Sequence, residues 1–243
     1  MNLAIITPSR SRIEGLYRLF KSINGTISGE NKIDLIVAID TDDPFRNDYA
    51  TLNIQMRDEA INNLRVTLTI DKRKPVSKIW NDLTKIRNIE GFPEWYICGN
   101  DDFVFNTVGW DKVLAEKIKS KKHPYYMFFF DDGIHGANHG AFPIVSRQWI
   151  TTLGYYFPEK FIHNYPDTWV NDIALKAEVR EFIPEIKGTH LHYSEGLSKF
   201  DTTYSEGMAD NSNEKDKSVY QSTESERIKA SNLIKSKIWS YLV

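Results

Sequence analysis

The segment Trp95–Phe105, WYICGNDDFVF, runs an apolar strand straight into two adjacent aspartates. Trp95, Tyr96, Ile97 and Cys98 have the aromatic, β-branched and small apolar character of a buried strand, and a turn at Gly91–Pro93 precedes them. Gly99 frees the backbone to turn, which leaves Asn100, Asp101 and Asp102 at the strand's carboxyl end. Neighbouring carboxylates repel, so each raises the other's proton affinity unless a cation joins them. Magnesium or manganese would supply that charge, since either takes one or two carboxylates together with phosphate oxygens and water. A turn that merely caps the next helix is the plainer explanation.

Other groups of this kind recur at intervals. TPSRSR (Thr7–Arg12) contains neither the glycines of a dinucleotide fingerprint nor a P-loop lysine. It is a hydroxyl–proline–hydroxyl turn with two arginines, suited to a base, ribose or phosphate, and Ser9 or Ser11 would equally cap a helix. In AIDTDDP (Ala38–Pro44), Asp40 could accept hydrogen bonds from a base or ribose, whereas Asp42, Asp43 and Pro44 suit a solvated turn. His190 and His192 alternate in THLHY, so on a strand they face opposite sides and only one can reach a metal held by the first-half carboxylates. His190 comes first at the site end and is the expected ligand. Asp167 stands at the start of a helical segment, where it could be an N-cap or a general base for an acceptor hydroxyl. Asp131 and Asp132 open the glycine-flanked loop DDGIHGANHG, which could close over a substrate. The sequence does not rank Asp132 against Asp167 as the base.

The elements that must position these groups are legible from hydrophobic periodicity. Leu3–Thr7, Ile33–Asp40, Arg65–Ile70 and Glu94–Gly99 read as strands. Between them lie a helix from Arg12, a weaker one over Asp48–Leu64 and one opening at Pro75; a further helix follows over Trp110–Lys119. This β-α-β alternation predicts a mostly parallel sheet with helices on both faces, whose ligands bind beyond the strands' carboxyl ends. The second half is less regular. A strand is expected over Tyr125–Gly133, a strand running into a short helix over Gly140–Ile150, a helix over Asp167–Glu178 with Asp167 as its cap, and a last short strand over Thr189–Tyr193. GMADNSNEKDKS (Gly207–Ser218) has little to bury and reads as a flexible loop or linker before a helix from Glu224 to Val243.

With 243 residues and a net charge of −2, composition gives no overall attraction to nucleic acid or anionic membrane. Local basic faces are still available at Arg10, Arg12, Arg18 and Lys21, and at Lys72, Arg73, Lys74 and Lys78. The single cysteine, Cys98, excludes an internal disulfide and a multi-cysteine zinc site, and its strand setting makes it a core thiol. No apolar run approaches the roughly 20 residues that span a bilayer, and no signal peptide precedes the first strand, so a cytosolic protein is expected.

Together IITPSRSR, LIVAIDTDDP and YICGNDDFVF, followed by GWDKVL, GAFPIVSRQWITTLGYYFPEKF, YPDTWVNDIALKA and THLHY, resemble the GT-A class of glycosyltransferases, which use nucleotide-sugar donors. In particular they are similar to glycosyltransferase-like proteins of tailed bacteriophages, some of which modify hydroxymethylated bases in phage DNA. The resemblance covers residues 1–195, and it implies an α/β GT-A domain with a nucleotide-binding half (1–120) and an acceptor half (121–195), followed by a polar loop and helix (196–243). It implies that Thr7, Ser9 and Arg10 hold the nucleotide, that Asp40 meets the base or ribose, and that Arg73 or Lys78 meets the donor's nucleotide half. Asp101 would lie near the ribose. Asp102 would bind the Mn2+ or Mg2+ that bridges the diphosphate of a UDP-sugar, with His190 completing the metal site. Asp167 matches the base of inverting members. Asn100 stands where the family's Asp-X-Asp motif has its first Asp, which leaves fewer formal charges. The implied partners are a nucleotide-sugar donor and an acceptor hydroxyl, including one on modified DNA, with no membrane, in the host cytoplasm. A sugar-phosphate nucleotidylyltransferase would share the sheet but requires a Gly-rich loop after the first strand. A non-catalytic nucleotide- or nucleic-acid-binding module is the rival outside enzymes.

Overall fold

The first four apolar runs form strands β1 (Asn2–Pro8), β2 (Lys32–Asp40), β3 (Leu64–Asp71) and β4 (Trp95–Cys98) in a computed structural model that describes residues 1–88, 91–207 and 209–243. They lie parallel in the order β3-β2-β1-β4. Helices α1 (Ile13–Thr26), α2 (Arg46–Glu59) and α3 (Val76–Leu83) make the crossovers. Leu3–Ile6 on β1 are wholly buried, as a central parallel strand covered on both faces requires.

The second half adds β5 (Phe103–Phe105), α4 (Trp110–Lys119), β6 (Met127–Asp131), β7 (Ile144–Ser146), α5 (Arg147–Leu153), α6 (Pro166–Lys176) and β8 (Arg180–His190). The sheet thereby reaches eight strands in the order β3-β2-β1-β4-β7-β6-β8-β5. Pairing is antiparallel at β4–β7, β6–β7 and β5–β8, and parallel at β6–β8. Strand β8 changes partner along its length. Arg180–Ile183 pair with β6, the register then shifts so that Lys187 pairs with Asp131 of β6, and Gly188–His190 pair with β5, with His190 opposite Phe103. Gly188 is required there, because a Cβ would lie 2.8 Å from the Val104 carbonyl oxygen and collide with the Phe103 ring.

Several boundaries differ from the sequence expectations. The last strand is not Thr189–Tyr193 but ends at His190, and His192 caps a 3-10 turn at Tyr193–Glu195, accepting from the Ser194 N–H. Asp167 is not an N-cap: Tyr165, at φ 71, takes that position, Pro166 is the first helical residue and Asp167 lies in the first turn. Likewise Pro75 is the cap of α3 rather than part of its first turn. The described residues beyond 201 form α7 (Thr202–Gly207), α8 (Ser212–Ser222) and α9 (Glu224–Leu242), so much of Gly207–Ser218 is helical rather than the expected flexible loop; Met208 of that stretch lies outside the described residues.

Hydrophobic cores fill both faces of the sheet, and α9 packs on α5 and α6, placing Ala230 and Ile234 in the second core. Full burial of an aliphatic side chain such as Ile234 contributes about 1.5–3 kcal/mol. The Arg227 guanidinium donates to Asp172 at 2.6 Å and stacks 3.8 Å above the Tyr220 ring, which ties α9 to α6 and α8.

Candidate active site

The carboxyl ends of β1, β2 and β4 open into a cavity of about 870 Å³, within the usual size range for small-molecule sites of about 300–1,000 Å³. Ser9, Arg10, Asp40, Arg73, Asp101, Asp102, Asp167 and His190 all line it. Thr7, Lys78 and Asp132 do not. Thr7 is fully buried on β1, Lys78 pairs with Glu159 at 3.1 Å, and Asp132 faces inward behind His190.

The TPSRSR and GNDD turns are joined by a buried network. Ser9 Oγ donates to Asp101 Oδ2 at 2.7 Å and contacts the Tyr49 hydroxyl at 2.8 Å, and Arg12 Nη1 donates to Asp101 Oδ1 at 3.2 Å. The Arg12 backbone N–H donates to the Tyr49 hydroxyl at 2.9 Å. Two glycines allow this approach. A Cβ at Gly15 of α1 would lie 2.6 Å from the Asp101 carbonyl oxygen. Gly99 does not adopt a left-handed conformation; the turn follows it, closed by the Phe103 N–H to the Asn100 carbonyl, and a Cβ at Gly99 would lie 2.8 Å from Ile5 Cγ2 and collide with Thr7 Oγ1.

The two aspartates are not equivalent. Burial raises the Asp101 pKa despite the Arg12 charge. Burial also pushes Asp102 upward, but His190, the Tyr204 hydroxyl and Arg12 together hold it below the ordinary value. Tyr204 donates to Asp102 Oδ2 at 2.9 Å. His190 Nε2 stands 3.5 Å from Asp102 Oδ1, an ion-pair distance rather than a well-made hydrogen bond. On its other side His190 Nδ1 faces Asp132 Oδ2 at 3.9 Å. Burial favours the neutral imidazole, yet the two carboxylates raise its pKa to about 9. Asp132 accepts N–H bonds from Ile134 (3.1 Å) and His135 (2.8 Å) and touches the His135 ring at 2.7 Å, so its oxygens fix their own loop. These donors and His190 outweigh burial and hold it well below the carboxylate range. His190 and His192 do not face opposite ways: both line the cavity, with ring centroids 5.3 Å apart, because the strand stops between them.

Across the cavity, Asp167 Oδ2 meets His139 Nε2 at 2.7 Å, and Oδ1 accepts from the Thr168 N–H at 2.8 Å. The neighbouring loop is held from below by Asp216 of α8. Its carboxylate, 1% exposed, accepts the backbone N–H groups of Ile162, His163 and Asn164 at 2.8, 2.9 and 2.8 Å. At the β2 end, Asp40 accepts from Arg10 Nη1 at 3.2 Å, while burial raises its pKa.

Sequence reasoning named TPSRSR but did not single out Arg12, which contacts both aspartates, and it missed Tyr49, His139, Asp201, Tyr204, Glu206 and Asp216. The second arginine of TPSRSR was the one available signal. Cys98 is a buried thiol, as expected, with its pKa raised by burial.

Among the described residues, no group of three or more His, Cys, Asp or Glu side chains is placed to hold a metal ion. The donor pair Asp102–His190 nevertheless fits a shared site, because Asp102 Oδ1 is buried without a hydrogen-bond partner and His190 Nε2 faces it at 3.5 Å. One oxygen and one nitrogen from the chain, completed by ligand oxygens and water, are consistent with Mn2+ or Mg2+. No helix among the described residues is long and apolar enough to cross a membrane.

No family model matches this chain, and no curated protein matches it. Solved structures are similar to it in fold. TarS of S. aureus in complex with UDP-GlcNAc gives a TM-score of 0.59 at 13% identity, covering 86% of this chain and 64% of that one. A longer TarS chain gives 0.59 at 13% identity, covering 77% of this chain and 36% of that one. The mannosyltransferase PcManGT from Pyrobaculum calidifontis, in complex with GDP-Man and Mn2+, gives 0.59 at 11% identity, covering 100% of this chain and 81% of that one. The chain thus spans between 36% and 64% of these two TarS chains. The chain shares its fold with these structures: a GT-A-like α/β fold with a curled eight-stranded sheet flanked by helices.

Proposed function

We propose that the protein is a glycosyltransferase that moves a sugar from a nucleoside-diphosphate donor, a UDP-sugar foremost, to an acceptor hydroxyl. The observation that carries this reading is the convergence of Asp40, Ser9, Arg10, Arg12, Asp101, Asp102 and His190 at the strand ends of one cavity, with Asp167 on its other wall. Proteins of the same fold bind UDP, UDP-GlcNAc, and GDP-Man with Mn2+, which supports a nucleotide-sugar over a phosphosugar nucleotide exchange.

In this reading Asp40 accepts hydrogen bonds from the base or ribose, and Arg10 and Arg73 face the nucleotide half. Ser9 and Arg12 keep Asp101 in place near the ribose. Asp102 and His190 would hold a divalent cation, which supplies charge neutralisation for the departing diphosphate. Asp167 takes the proton from the acceptor hydroxyl as its oxygen forms a bond to the anomeric carbon; the bond from that carbon to the diphosphate oxygen breaks, and the nucleoside diphosphate leaves with the electron pair. Asp167 is preferred to Asp132 because its carboxylate lines the cavity while that of Asp132 serves its own loop and His190. The transferred unit is a hexose or pentose. For the acceptor, the resemblance to phage proteins leaves a hydroxymethylated base of phage DNA as the proposal, for which steep loss of acceptor binding with salt is the check.

Calorimetry with UDP, with and without Mn2+, tests the reading on the wild type and Asp102→Asn. Metal-dependent binding that the variant loses is the expected result, together with an Asp167→Asn variant that binds UDP but turns over at least about a hundredfold more slowly. Absence of binding by UDP, GDP and the other nucleoside diphosphates would return Asp101 and Asp102 to a structural turn. Near-normal turnover in Asp167→Asn would remove the base assignment.

A further inference from the structure

Residues 201–206 place two carboxylates and a phenol over the strand ends. Asp201 receives the Arg12 guanidinium through two bonds, from Nε at 2.7 Å and from Nη2 at 2.9 Å. Glu206 Oε2 receives Arg10 Nε at 3.0 Å and Arg73 Nη2 at 2.9 Å. Between them the Tyr204 hydroxyl donates to Asp102, and the Arg12 guanidinium lies 4.1 Å above the centre of the Tyr204 ring. Thr203 Oγ1 donates to the Arg10 carbonyl at 2.8 Å. The three arginines at the strand ends are therefore engaged by this segment, in the bidentate and shared-oxygen geometries that phosphate oxygens also satisfy.

Packing holds the segment chiefly through Tyr204, whose ring lies against His192, Tyr193 and Phe200. Within α7 Tyr204 is buried, whereas Thr202, Ser205 and Glu206 are exposed, and a helix this short has no stability of its own. Half-exposed ion pairs of the Glu206 kind are individually weak and screened by salt. A diphosphate carries more charge than either carboxylate and presents more oxygens to the same guanidinium groups.

We propose that residues 201–206 form an anionic latch, in which Asp201 and Glu206 stand in for the diphosphate of a nucleotide ligand. Ligand binding and latch release are then one exchange: the arginines pass from carboxylate to phosphate, and the segment lifts from the strand ends. The inference rests on the donor site described above. Its consequence is a nucleotide affinity lowered by the fraction of molecules that are latched.

The test is calorimetry of inorganic pyrophosphate and UDP on the full chain, comparing wild type, Glu206→Gln, Asp201→Asn and the double variant. Asp201 Oδ1 accepts the Tyr204 N–H at 3.0 Å and caps α7, and asparagine keeps that cap while removing the charge. Each single variant should bind about two- to fivefold more tightly, and the double variant by about the product. Pyrophosphate should also speed amide exchange at residues 202–206 of the wild type. A wild type that binds, with variants that bind equally or more weakly, overturns the latch and leaves the donor site standing. No binding by any of the four proteins overturns both.

Discussion

Raising the pH from about 6 to about 10 should take a proton from a buried imidazole that two carboxylates hold charged. His190 lies between Asp102 and Asp132, at 3.5 and 3.9 Å, and its pKa rises from 6.5 to about 9 although burial alone would lower it. Because the folded value exceeds the unfolded one, the stabilisation is complete below about pH 6.5 and is lost as the pH climbs through about 9. At 1.36 kcal/mol per unit, the amount at stake is up to about 3 kcal/mol. The depressed values of Asp102 and Asp132 express the same pairs from the carboxylate side and add nothing further. Urea unfolding of wild type and His190→Gln across this range isolates the effect, since titrations common to both proteins cancel. The wild type's advantage should shrink by about 3 kcal/mol between pH 6 and pH 10. The His190 ring protons should titrate by NMR with a midpoint near 9. The same proton opposes a cation bound through the ring nitrogen, so Mn2+ should bind more tightly as the pH rises and should pull that midpoint down. An advantage constant with pH, or a midpoint at the ordinary histidine value, would refute the reasoning.

Two further outcomes concern the cavity wall that carries Asp167. Asp216→Ala removes the buried acceptor of the Ile162, His163 and Asn164 N–H groups and should cost about 3 kcal/mol in urea unfolding; a loss below about 1 kcal/mol would mean that the loop is held by something else. His139→Ala should lower kcat about tenfold at unchanged UDP affinity, whereas His139→Gln, which keeps an N–H donor for Asp167, should recover most of it. Equal losses in both variants, or a parallel loss of UDP binding, would make His139 a structural residue only.

The first half was legible because its signals are local. Apolar runs on parallel strands and polar residues at their carboxyl ends are consequences of a sheet covered on both faces, and they placed Ser9, Arg10, Asp40, Asp101 and Asp102 on one rim without any tertiary information. Where the reading failed, a distant contact had overridden a local rule. Strand β8 carries Pro184 and Gly188, both signals against a strand; Pro184 falls in the register shift of the β6–β8 pairing, and Gly188 where β8 lies tight against Phe103 of β5. The strand ends at His190 and His192 caps the following turn, which voids the alternation argument that set His190 against His192. Residues 207–218 look unstructured because hydrophobic patterning cannot see a helix anchored by a buried carboxylate, as Asp216 anchors α8. The aspartate pair shows the same division. Local sequence places two like charges side by side and predicts that both pKa values rise, but Tyr204 and His190, from 102 and 88 positions further along the chain, lower one of them. Asp101 is thereby tied into the frame by Ser9 and Arg12, while one Asp102 oxygen faces only His190, at 3.5 Å, and accepts no hydrogen bond. Strand-end chemistry is thus set by the first half of the chain, and which of its atoms face a ligand is set by the second. Arg12, bound to Asp101 on one side and Asp201 on the other, is where the two meet.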